Sequence, residues 1–139
     1  MPRNNHNAFA LLGIIALAQT DVAAARTAFT TAIAHADALL ARTPELYGAL
    51  DARGMALCGL VLCDSWQEAG GGRQEAGGGQ RSSVSERLQE AVAVFRKARA
   101  INRDAGIVAR VVRKLDALAR THPEGAALLA EARQVLREA

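Results

Sequence analysis

Two cysteines, three histidines and a glycine-rich stretch are the residues of this 139-residue chain whose types invite chemistry. Cys58 and Cys63 are five apart on one helical segment, which separates them by about 140° around a helix axis, so they cannot bond to each other without unwinding it. They read as buried thiols in a reducing compartment, which places the chain in the cytoplasm. His6, His35 and His122 fall on three separate segments without a Cys-x2-Cys or His-x3-His partner. Neither a metal site nor a nucleophile-base pair is therefore expected. The glycine stretch repeats Gln67-Glu68-Ala69-Gly70-Gly71-Gly72 as Gln74-Glu75-Ala76-Gly77-Gly78-Gly79. A phosphate cradle needs a preceding strand and a Gly-Lys-Ser/Thr ending, but Gly79 leads into Gln80-Arg81. The chain is thus expected to be no enzyme and to use no cofactor, and its work is expected to be binding.

The elements that would position a binding surface are helices. Alanine supplies 31 of 139 residues, aromatics only 4%, and no run alternates as a strand would. A chain of this length makes one domain, residues 1–139, with about two-thirds of its unfolded surface buried. Six helices are expected. The first runs to about Ala18, the second from a Thr20-Asp21 cap to about Arg42, and the third from Pro44 to near Ser65. A fourth starts at Ser83 or Ser85 and ends at Ile101, a fifth carries Val108, Val111, Val112 and Leu115 on one face, and a sixth follows His122-Pro123. Residues 67–83 are expected to form a mobile loop between the third and fourth helices, because so much glycine offers little apolar area against its ordering entropy.

Two stretches share a spacing. Phe9, Leu12, Gly13 and Ala16 are followed by Ala25, Phe29 and Ala32; Leu50, Gly54 and Leu57 are followed by Ala91, Phe95 and Ala98. Gly13 to Gly54 is 41 residues and Phe29 to Phe95 is 66, so 66 − 41 = 25 residues are inserted inside the second copy. This pattern resembles the tetratricopeptide repeat, in which small residues let paired helices approach closely. The resemblance implies an all-α, right-handed superhelix of antiparallel helix hairpins. Repeat one would span about 6–42, repeat two about 45–101 with its glycine-rich insertion at about 61–85, and a divergent pair 104–138. Val112 stands in that pair where Gly13 and Gly54 stood, so it reads as a degenerate repeat or, preferably, a terminal capping hairpin. The amino end shows no comparable cap, which suggests a fragment and self-association through uncapped repeat ends. The 41-residue period and the phrasing Leu12 to Ala16 and Ala23 to Phe29 resemble the sensor arms of large bacterial regulators, namely signal-transducing NTPases and pathway-specific activators.

What the repeat family implies is a protein or peptide partner held on the inner surface, lined by the first helix of each pair. Here that lining would be Asn7, Ala10, Ile14, Leu17 and Ala18, then Asp51, Met55, Cys58 and Gly59, then Ala109, Arg113, Asp116 and Ala117. Ala10, Ile14 and Met55 stand where a carboxylate clamp would need Lys and Asn, so the occupant is expected to be a hydrophobic helix or extended segment, oriented by Asp51, Arg113 and Asp116. The competing reading gives Ile14, Leu17 and Met55 to a core covered by the long second helices. Charge offers an alternative function. Residues 1–80 carry −2 and residues 81–139 carry +5, and Arg96, Arg99, Arg103 and Arg110 form a candidate basic patch for nucleic acid. Phe95 is the one aromatic nearby and packing claims it, so a solvated outer face is preferred over nucleic acid. Arg3 and the apolar run ending Ala16-Leu17-Ala18 imitate a secretory leader, yet the same residues satisfy the repeat, and the run is too short to span a membrane.

Overall fold

A computed structural model describes the backbone of residues 5–71 and 77–138, with side chains over 6–67 and 84–138. Within these bounds every regular element is a helix: α1 (Asn5–Ala18), α2 (Val22–Arg42), α3 (Tyr47–Gly71), α4 (Gly77–Ile101), α5 (Ala105–Ala119), α6 (Gly125–Leu128) and α7 (Ala130–Arg137). The caps follow the local chemistry. The Asp21 carboxylate accepts from Ala24 N–H at 3.2 Å, and that of Asp104 accepts from the Gly106 and Ile107 N–H groups, satisfying donors that an α-helix leaves free at its start. The turn before Asp21 places Thr20 at φ 58°, the left-handed region that a β-branched residue seldom enters.

Phenylalanine against glycine builds the core. Phe29 of α2 is fully buried against Gly13 of α1 and Gly59 of α3, at both of which an added Cβ would run into the ring. Phe95 of α4 repeats the arrangement on Gly54, where a Cβ would lie 2.8 Å from the ring. Both close approaches would be lost with any larger residue at the glycine. Ion pairs set the register beyond the rings: Arg53 of α3 bonds Asp37 of α2 and Glu90 of α4, while Asp64 of α3 holds Arg26 of α2 and Arg87 of α4. Helices α1 to α4 form two hairpins, α1 with α2 and α3 with α4, joined along α2 and α3.

Two expectations are corrected. The third helix does not stop near Ser65, nor does the fourth wait for Ser83: helix continues to Gly71 and resumes at Gly77, so the described parts of the insertion at 61–85 are helical rather than loop. Past Ser65, Trp66 lies against His122 and Gln67 accepts from Arg26 of α2 at 2.6 Å, and the Gln, Glu and Ala of this stretch are strong helix formers. Residues 72–76 of the expected mobile loop lie outside the described residues. The expected sixth helix is two, α6 and α7, parted at Leu129, whose fully buried side chain draws the backbone inward at φ −100°, ψ 13°. The last segment, read from the sequence as a degenerate repeat or a capping hairpin, is joined to both hairpins. Its α5 crosses α1 and α3, while α7 packs on α4 and α5.

Candidate functional site

The residues expected to line an inner surface do converge, but not on an open groove. Asn7, Ala10 and Ile14 of α1 and Asp51 and Met55 of α3 meet Val111 and Lys114 of α5 around one crevice with room for about 30 Å³, roughly one water molecule. The filler is α5, not the long second helices. Its Val111, Leu115 and Leu118 share one apolar cluster with Ala10, Ile14 and Met55. The opposite face of α5 is wet, with Arg110 and Arg113 exposed. An amphipathic helix therefore already occupies the surface that the repeat spacing marks for a partner.

The remaining lining residues are placed elsewhere. Leu17 and Cys58 share the helix faces of Ala10 with Ile14 and of Asp51 with Met55, one turn further on, and are sealed in the core without any exposure, while Ala18 and Ala109 are exposed. Arg113 points to solvent, and Asp116 is engaged by Arg133 of α7 at 2.8 Å, so neither is available to orient a ligand over α1 and α3. Asp51 has a partner too. Arg99 donates to its two carboxylate oxygens at 3.0 and 2.7 Å, a bidentate pair whose side chains are only 5% and 10% exposed.

That pair also breaks the candidate basic patch. Arg96, Arg103 and Arg110 are exposed, but Arg99 is buried among α3 and α4 and neutralised by Asp51. The patch thus lacks its central member, and a contiguous track for phosphates is not formed.

The thiols are inert. Burial pushes Cys58 up to about 12 and Cys63 up to about 11, far from the thiolate that a nucleophile requires. His6 is buried with its pKa lowered by burial, then by the charges of His35 and Lys114. Among the described residues no three His, Cys, Asp or Glu side chains gather closely enough to hold a metal ion, and no helix is long and apolar enough to cross a membrane.

A pairing that the sequence did not disclose lies at the far end of α5. Trp66 of α3 packs against His122 with ring centroids 4.7 Å apart and the ring planes tilted by 59°. The N–H of Glu124 donates to Nδ1 of His122 at 2.9 Å, so in the neutral ring the proton sits on Nε2. Burial lowers the His122 pKa and keeps the ring in that neutral form. This ring contact joins the turn after α5 to α3, and Asp116–Arg133 joins α5 to α7. No spacing rule links residues so far apart; only the crossing of α5 over α3 brings them together. The buried Asp64 with its two arginines escaped for the same reason.

No family model, curated protein or solved structure matches this chain.

Proposed function

We propose that the chain is a non-catalytic protein-interaction module of tetratricopeptide-like hairpins, whose inner face across α1 and α3 receives an amphipathic helical segment. One observation carries the reading: the chain's own amphipathic α5 is seated there by Val111, Leu115 and Leu118, with its basic face outward. A partner helix of the same pattern would use the same seat, so α5 acts as a resident competitor that a stronger ligand must displace. This accords with the resemblance to regulator sensor arms, in which ligand capture is passed on as a change of state, and with protonated thiols suited to the cytoplasm.

The test uses the full chain with Leu115→Glu, which unseats α5, and a fluorescent peptide of residues 104–120. The peptide is expected to bind this variant at micromolar concentration and to bind the unaltered chain at least tenfold more weakly. Equal or absent binding to both, with the helicity of α1–α4 retained, would overturn the reading.

A further inference from the structure

The outer side of α1 presents a feature that the inner face does not explain. From Asn5 to Ala18 this helix contains no Asp, Glu, Lys or Arg, and although its inner side is covered by α2, α3 and α5, Leu11, Leu12 and Ile15 are 43%, 51% and 52% exposed. A helix that is apolar all round is one that is buried all round. Ala8, Leu11, Ile15 and Ala18 are all exposed and recur at i, i+3, i+7 and i+10, a single stripe. Beside it, Leu12 borders a groove of about 490 Å³ running between α1 and α2, walled on the α2 side by Ala24, Ala28 and two threonines.

Two observations identify what covers it. First, one repeat further on, 41 residues away, Ala52, Ala56 and Gly59 occupy the positions of Leu11, Ile15 and Ala18, and that face of α3 is the one buried on α2, with Gly59 beneath Phe29. Within the chain, then, this helix face joins one hairpin to another. Second, the stripe is palindromic about residue 13. A two-fold axis there, with two α1 helices antiparallel, sets Ala8 against Ala18 of a second copy and Leu11 against its Ile15 at both ends. Large residues meet at the centre and small ones let the backbones close on either side, which is the self-complementarity that an isologous contact demands. The absence of charge removes any electrostatic basis for choosing a foreign partner.

We infer that the α1 face is the interface of a symmetric homodimer, with antiparallel α1 helices and Leu12 of each copy entering the other's groove. A helix of 14 residues is about 21 Å long. With a width of roughly 20 Å across α1 and α2, it covers on the order of 400 Å² per copy, at the small end of specific interfaces. The dimer is accordingly weak and in exchange with the monomer.

Sedimentation equilibrium of the unaltered chain, from about 1 to 500 µM, should show a monomer–dimer equilibrium that closes at two copies. Ile15→Glu should weaken association at least tenfold without loss of helicity, since the side chain it replaces is half in solvent. Leu11→Lys should do the same alone. Mixing the two variants should restore dimers, because the pairing sets the ammonium introduced at position 11 of one copy against the carboxylate introduced at position 15 of the other. A monomer throughout the range, open-ended assembly, undiminished association of Ile15→Glu, or no recovery on mixing would each overturn the inference. So would a chain that stays monomeric yet binds neutral phosphatidylcholine vesicles through this face.

Discussion

Removing the Asp51 carboxylate should destabilise the fold more than any comparable change on the surface. Its bidentate contacts with Arg99, at 2.7 and 3.0 Å, join α3 to α4 where the side chains are 10% and 5% exposed. At an effective dielectric constant of about 20, two charges about 4 Å apart attract by about 4 kcal/mol, while each ion's desolvation costs several kcal/mol. The intact pair therefore contributes little net stability, but Asp51→Ala strands a buried guanidinium and should cost about 3–5 kcal/mol. Replacing both partners should behave differently. The first hairpin places Ala10 and Ile33 at the equivalent positions, an apolar solution to the same contact. Asp51→Val with Arg99→Met, which comes close to keeping the volume, should fall within about 1 kcal/mol of the unaltered chain or exceed it. Urea unfolding followed by circular dichroism measures both. A single substitution costing under about 1 kcal/mol, or a double one costing as much as the single, would refute the argument that desolvation and attraction nearly cancel here.

Neither thiol should react with a thiol reagent at pH 8 in the folded chain, and both should react on unfolding, because Cys58 and Cys63 are held at about 12 and about 11; the absorbance change on labelling counts them. Acid should destabilise the fold through His6 and His122. Both have pKa values below the ordinary 6.5, so the unfolded chain takes up the protons first, and their contribution, full above 6.5, is lost as pH falls below it. The emission of Trp66, whose ring lies against His122, should change in the same window, and His122→Gln should abolish that change. Thr20→Gly should raise stability by about 1 kcal/mol by relieving the left-handed turn, read as a higher urea midpoint.

The hairpins are legible because their determinants are local or periodic. Gly13 with Phe29, and Gly54 with Phe95, stand at spacings that a helix pair must satisfy, and the structure places each ring on its glycine. Periodicity assigns Gly59 to the inner lining, since one sequence cannot say that Phe29 touches glycine on both sides. Helix length in the insertion is misjudged because glycine propensity is local, whereas Trp66 and Gln67 are held by His122 and Arg26 from distant parts of the chain. The inner lining is identified in half: Ala10, Ile14 and Met55 do face one crevice, yet its filling by α5 depends on how the chain turns after Asn102. Arg99 illustrates the limit most plainly. Its stripe with Arg96 and Arg103 follows from helical periodicity, but its burial follows from Asp51, 48 residues earlier.

If α5 is a resident competitor on the inner face, it must leave that face more easily than the hairpins come apart. Native-state hydrogen exchange at low urea reads this directly. The α5 amides, including those of Val111 and Leu115, should exchange through an opening about 2 kcal/mol or more below the global unfolding free energy, while those of Met55 and Phe95 exchange only with global unfolding. If α5 and α3 instead share the same exchange free energy, the inner face never opens apart from unfolding, and the chain cannot receive another helix there.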